Sequence, residues 1–297
     1  MKKHKKFSHF VEYIILLSIE NFLHILPRKF ALFLGSITGG MIYRCGFYHN
    51  IVKKNMEHVG LWDKKQMEEI TCKLYRNMGR YMVDFLKSSK NKPPFKIYNL
   101  DLVDKSFSRK KGIMILLAHF GNWELLADIF GEKISDLNVV AKKMKNSRIE
   151  NWLARKRSQA AVITIYTDRA LRKILEVLRK NGIVAILIDQ HAGKHGTMVP
   201  FLGKEANTVR TMAGIVSKTG CSVLSTYAII DEHNNYSIVI NEVPAVNTED
   251  MNEDQRIYEY QRIHNEIISN WIREHPEHWF GWFHKRFRGI VKYKSQV

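Results

Sequence analysis

The chain has 297 residues, enough to bury a sizeable core, and 45% hydrophobic with 26% charged residues is a globular composition that excludes wholesale disorder. Lys and Arg number 47 against 29 Asp and Glu; the net charge of +18 sets up a positive surface field suited to nucleic acid, anionic lipid or an acidic protein, without choosing among them. Cys45, Cys72 and Cys221 are far apart and form no Cys-x-x-Cys pair, so they read as free thiols of a reducing compartment.

Lys2 to Lys6 forms a basic leader, followed by an apolar segment from Phe7 to Leu26 that Glu12, Glu20 and His24 interrupt. The uncharged runs are too short for an unaided bilayer span, and no small-residue cleavage site follows. On a helix the three polar positions share an arc of roughly 120°, which leaves a wide apolar face. Pro27 breaks the segment, and a second uncharged stretch from Phe30 to Tyr43 carries Gly35 and Gly39 at a close-packing spacing. A basic leader ahead of two amphipathic helices predicts a monotopic anchor on an anionic leaflet; a buried helical hairpin fits the same pattern. Asp63 to Lys87 reads as a helix packed through Met67, Ile70, Leu74, Met78 and Met82, and Lys90 to Pro94 as a loop.

Ile113 to Ala118 is a continuous apolar run of strand length, as expected for a strand covered on both faces. It stops at His119. Gly121 permits a turn, Asn122 is a good N-cap, and Trp123 to Phe130 is apolar at helical spacing. His119 therefore sits at the carboxyl end of a buried strand, where open α/β sheets bind ligands, and Glu124 sits in the first turn of the next helix. On one continuous helix, residues five apart would point roughly 140° away from each other, so the two meet only if the chain turns between them. A carboxylate holding one imidazole nitrogen leaves the other free to take a proton from an alcohol. A strand-capping histidine and a helix-stabilising glutamate would produce the same residues.

Leu137 to Ala141, Val162 to Tyr166 and Ile183 to Ile188 repeat the strand pattern. Between them a helix from about Ile149 carries Arg155-Lys-Arg157, and another after Asp168 carries Leu171, Ile174, Leu175 and Leu178. Asp189-Gln190 ends the last of these strands, again at the edge of a site. His191 and His195 invite a metal pair, but Gly193 argues against a shared helical face, and no metal is expected. Val209 to Thr219 is a helix closed by Gly220, Cys221 to Ile230 and Tyr236 to Val243 pair as a hairpin, and a long helix runs from about Glu253 to Glu274. The last block, His275-Pro-Glu-His-Trp-Phe-Gly-Trp-Phe-His-Lys-Arg-Phe-Arg288, interleaves aromatics with cations. It suits either single-stranded nucleic acid or a packed closing element.

His119-Phe-Gly-Asn-Trp-Glu124 resembles the His-x-x-x-x-Asp/Glu signature of glycerolipid acyltransferases, in the Glu form seen in bacterial lipid A biosynthesis acyltransferases of the lauroyl/myristoyl type. Further stretches resemble the same family in order and spacing: His49-Asn-Ile-Val-Lys-Lys-Asn55, the run from Asp189 to Gly203 with Thr208, and the His275 block. The resemblance implies an O-acyltransferase without cofactor or metal, in which His119, oriented by Glu124, deprotonates a hydroxyl. It implies an acyl carrier protein thioester as donor, and as acceptor a Kdo-modified, tetra-acylated lipid A precursor at the cytoplasmic face of the inner membrane. Asn122, Arg155 or Arg157, Asp189 and Gln190 are then the expected substrate-binding residues, with Lys142 a further cation beside them.

The order of elements predicts an α/β fold, a mixed central sheet flanked by helices, with residues 1–48 as an amphipathic, membrane-anchoring helical segment and 49–297 as the acyltransferase domain. No Gly-x-Ser-x-Gly elbow, P-loop or dinucleotide fingerprint is present. Three other functions fit parts of the pattern: acyl transfer to a glycerophospholipid or another glycolipid, a lipid-directed hydrolase in which His119 activates water, and a basic nucleic-acid-binding protein. The expected partners do not include nucleic acid.

Overall fold

The computed structural model describes residues 2–88, 92–247 and 249–293. The side chains of residues 2–5 and of Arg169 lie outside that description, as do residues 90 and 91 of the expected loop. The chain runs α1 (Lys2–Ile25), α2 (Arg28–Arg44), α3 (His49–Val59), α4 (Lys64–Lys87), β1 (Phe95–Tyr98), α5 (Asp101–Ser108), β2 (Ile113–Leu117), α6 (Trp123–Lys133), β3 (Leu137–Ala141), α7 (Ser147–Gln159), β4 (Val162–Tyr166), α8 (Ala170–Arg179), β5 (Ile183–Leu187), β6 (Thr197–Phe201), β7 (Lys204–Thr208), α9 (Thr211–Thr219), β8 (Ser222–Ile230), β9 (Tyr236–Glu242) and α10 (Glu253–Glu274).

Seven strands form one sheet in the order β1-β9-β8-β2-β5-β3-β4. All neighbours are parallel except β8 and β9, the expected hairpin. The sheet is therefore mixed and helices cover it, as the sequence predicts. β2 lies at its centre, and every residue of Ile113–Leu117 is buried. Met114 and Leu116 join the apolar layer on one face, while Ile113, Ile115 and Leu117 join the layer on the other. Alternation of side chains along a strand covered on both faces is what a continuous apolar run encodes.

Strand β1, helix α5 and the β6–β7 hairpin are elements that the sequence reading does not contain. In the hairpin, Leu202 and Gly203 form a two-residue turn with φ of 52° and 75°. Two positive φ values favour Asn-Gly or Asp-Gly, and Leu-Gly does not announce such a turn.

The acids that interrupt α1 face α7. Glu12 accepts a hydrogen bond from the Asn146 amide at 2.9 Å and Glu20 one from the Trp152 indole at 2.9 Å, so α7 receives both charges. Phe7, Ile15 and Phe22 are more than half exposed on α1, as are Phe33 and Met41 on α2. Among the described residues no single helix is long and apolar enough to cross a membrane. α2 and α3 meet that measure only as a pair bent by 83°, and α3 buries Ile51, Val52, Met56 and Val59 in the fold.

α2 docks on α4 through glycine. A Cβ on Gly79 would lie 1.9 Å from the Gly35 carbonyl oxygen, and one on Gly39 would lie 2.0 Å from that of Tyr75. The spacing of Gly35 and Gly39 thus serves close packing, with α4 as partner. At the start of α2, Arg28 makes a forked ion pair with buried Asp84 at 2.7 and 2.8 Å. Gly79→Ala is expected to lower stability by about 1–3 kcal/mol, because backbone cannot yield as a flexible side chain would; chemical denaturation monitored by circular dichroism measures it. Leu74 of α4 is buried as predicted, but Met82 is half exposed.

The closing block is packed. Trp279, Trp282, Arg286 and Phe287 are fully buried, so these aromatics form no stacking face for nucleic acid.

Candidate active site

β2 and β5 are parallel neighbours with Leu117 level with Leu187. Two residues beyond these partners, past the same edge of the sheet, come His119 and Asp189. The imidazole Nδ1 lies 2.8 Å from Asp189 Oδ1. Asp189 Oδ2 accepts from the His119 backbone N–H at 3.0 Å and from the Trp279 indole at 2.8 Å. A carboxylate can only accept, so Nδ1 carries the proton and Nε2 holds the free lone pair. Nε2 meets the Gln190 amide at 3.4 Å and otherwise faces an open cavity.

Asp189 is fully buried, which opposes its ionisation. The charge of His119 and the bonds from His119 and Trp279 outweigh that, and its pKa lies below the ordinary carboxylate value. For His119, burial likewise disfavours the charged form. The charge and hydrogen bond of Asp189, with a smaller contribution from Glu124, more than offset it, and its pKa lies above the usual 6.5. A neutral imidazole with a fixed tautomer, backed by an ionised carboxylate, is a general base.

The turn between His119 and α6 is held on three sides. Phe280 N–H donates to the His119 carbonyl at 2.7 Å, Gly121 N–H to that of His278 at 2.8 Å, and Asn122 N–H to that of Ala228 at 2.8 Å. Gly121 has φ of 62°, and a Cβ there would sit 1.9 Å from the Ala228 oxygen. Asn122 caps α6 as predicted, accepting from Leu125 N–H at 3.2 Å. Its amide donates to the Tyr81 carbonyl and the Tyr236 hydroxyl, so its side chain is used up inside the protein and does not line the cavity.

The expected Glu124–His119 bond is replaced by two separate pairs. Glu124 binds Arg157, with Oε1 2.6 Å from Nη2 and Oε2 3.2 Å from Nε. α7 carries Arg157 to that position beside the first turn of α6, while the carboxylate behind the imidazole comes from the segment just past β5. Arg155, two residues away, is exposed in a separate shallow depression with Asn151 and Ser158, so of this pair only Arg157 lines the cavity with His119. Helical spacing sends residues two apart to different sides.

His119, Glu124, Arg157 and Gln190 line one cavity of about 1000 Å³. Its floor is apolar, with Ala127, Val139, Ile186 and Ile215, and its walls carry Lys142, Arg210 and Lys218 as further cations. Arg210 also pairs with Asp254 at 2.5 Å. Among the described residues no group of three or more His, Cys, Asp or Glu is arranged to hold a metal ion.

Two contributors to the site were not singled out from sequence. Trp279 fixes Asp189 from the closing block. Arg286 donates to the carbonyls of Asn207 and Gln190 and to the Thr208 hydroxyl, and lies 4.6 Å over the Phe201 ring, which ties the β6–β7 hairpin to the residue after Asp189. Burial pushes its pKa down to about 10, so it remains cationic near neutrality. A basic residue flanked by aromatics was the available signal, but the same pattern describes a solvated face.

The sequence pattern of bacterial lipid A biosynthesis acyltransferases matches residues 1–289. Over 276 residues the chain is 23% identical to the "Lipid A biosynthesis palmitoleoyltransferase" of Escherichia coli (strain K12), covering 89% of this chain and 86% of that protein. The same figures relate it to the "Lipid A biosynthesis acyltransferase" of Shigella flexneri. A match along nearly the whole chain places it, as an acyltransferase, in the bacterial lipid A biosynthesis acyltransferase family.

Proposed function

We propose that this chain moves a fatty acyl group from an acyl carrier protein thioester to a hydroxyl of a lipid A precursor, with His119 as general base held by Asp189. The observation that carries this reading is the Asp189 carboxyl group 2.8 Å from Nδ1 of an imidazole that lines a cavity holding both apolar and cationic side chains. The acceptor O–H gives its proton to Nε2 as its oxygen attacks the thioester carbonyl. On collapse the C–S bond breaks, and the imidazolium returns the proton to the leaving thiolate. No covalent enzyme intermediate is needed. The Gln190 amide is the donor beside Nε2 that can serve the developing oxyanion.

Glu124 fixes Arg157, whose remaining N–H groups suit a phosphate oxygen of the acceptor or of the carrier's prosthetic arm. Lys142 and Lys218 add positive charge for an acidic carrier. Residues 1–48 present exposed phenylalanines and isoleucines on α1 and α2, which fits an interfacial anchor on the domain of residues 49–297. Such an anchor would seat the enzyme on the anionic cytoplasmic face of the inner membrane.

The test supplies the purified protein in vesicles with acyl carrier protein thioesters and either the lipid A precursor or a lysophospholipid. His119→Ala is expected to abolish transfer. Transfer by that variant at the wild-type rate would overturn the mechanism, and fatty acid release independent of acceptor would indicate a hydrolase. A preference for the lysophospholipid would redirect the acceptor.

A further inference from the structure

A second cavity of about 800 Å³ lies between α1, α2 and α4, on the other side of Gln190 from the first. It is lined by Ile19, Leu34, Met78, Met82 and Phe283, with Gln190 and His284 at the end shared with the first cavity. Gln190 lines both cavities. Gly35, Gly39 and Gly79 let α2 and α4 touch, so the trough is floored by backbone that has no side chains to fill it.

Away from Gln190 and His284 the groove offers little for a polar ligand. The Thr38 hydroxyl is bonded to the Leu34 carbonyl of its own helix at 2.9 Å, and the Tyr75 hydroxyl to the Phe47 carbonyl. Burial pushes the His284 pKa down, so that imidazole is uncharged near neutrality. The outer rim, with Phe22, Ile42, Tyr48 and Met82, is between 43% and 55% exposed and runs on into the exposed apolar faces of α1 and α2. Exposed apolar surface of this extent marks contact with something apolar.

We infer that this groove takes a hydrocarbon chain of the membrane-borne acceptor lipid, admitted sideways between α1 and α2, while the thioester-linked donor chain uses the first cavity. The inference rests on the acyl-transfer reading. Two acylated substrates must meet at His119, and Gln190, whose amide lies 3.4 Å from Nε2 of His119, lines both cavities. The acceptor is confined to a bilayer and can enter only through surface that a bilayer covers. The donor arrives on a soluble, acidic carrier, and Lys142, Arg157, Arg210 and Lys218 stand at the first cavity.

Thr38→Phe, which gives up only the hydroxyl bond to the Leu34 carbonyl, and Met82→Trp fill the groove from exposed positions. With lipid A precursor in vesicles, each is expected to raise KM for the lipid about tenfold or more, the scale on which apolar pockets discriminate single groups. KM for the thioester and the preferred acyl length should stay as in wild type. A rise in KM for the thioester, a changed acyl-length preference, or no change in either KM would overturn the assignment.

A second measurement does not depend on turnover. Phosphatidylglycerol vesicles doped with a phospholipid bearing a chain-terminal diazirine are irradiated with the full-length protein, and adducts are mapped by mass spectrometry. Adducts at Leu34, Met78 and Met82, lost in Thr38→Phe, are expected. Adducts confined to Phe7, Phe33 and the outer faces of α1 and α2 would show that chains stop outside the groove. If the wild type transfers no acyl group but labels the groove, the acyl-transfer reading fails while the chain site stands.

Discussion

Asp189→Asn is expected to reduce kcat on the order of 10³- to 10⁴-fold with little change in KM, because an amide behind Nδ1 stabilises the wrong imidazole tautomer. The pH profile separates this from a folding defect. His119 must be neutral to accept a proton, and its pKa lies above the ordinary 6.5, with the charge and bond of Asp189 outweighing burial. Activity should therefore rise with pH through a midpoint above 6.5 and fade on the acid side. Removing the Asp189 charge leaves burial as the dominant influence, so the residual activity of Asp189→Asn should persist to lower pH. A midpoint that stays in place or moves upward would show that Asp189 does not control the imidazole. Glu124→Gln should move the midpoint down by less, since Glu124 makes the smaller contribution.

Gly121→Ala is expected to be the most damaging single-methyl change at the site. The left-handed backbone costs an alanine roughly 1–2 kcal/mol, and overpacking against the Ala228 carbonyl adds about 1–3 kcal/mol. The turn can relieve the clash only by giving up the bonds from Gly121 to His278 and from Asn122 to Ala228. His119 would then shift relative to Asp189, and a displacement of about 1 Å is enough to cost on the order of a hundredfold in rate. A lowered denaturation midpoint together with that loss of activity is the expected result. Full activity in the variant would show that the turn tolerates a second conformation.

Much of the fold could be read from residue order. The run Ile113 to Ala118, the cap at Asn122, the hairpin of Ser222–Ile230 with Tyr236–Glu242 and the long helix ending at Glu274 all appear where local pattern placed them. The β6–β7 hairpin is not legible in the sequence because Pro200 weakens the strand pattern and Leu202-Gly203 is an unusual pair for its turn. The pairing of Glu12 and Glu20 of α1 with α7 was not readable either, since their partners, the cap Asn146 and Trp152, lie more than a hundred residues on.

The sequence by itself determined that His119 ends a buried strand, that a carboxylate stands close by in the chain, and that Asp189-Gln190 ends another such strand. Each follows from burial and periodicity, which are properties of a short segment. Only the tertiary structure decided that Asp189 takes the imidazole, that Glu124 goes to Arg157, and that Arg155 faces away. Those outcomes depend on β2 and β5 lying side by side and on where α7 docks. Strand order and helix docking are set by packing among distant segments, and no spacing along the chain records them.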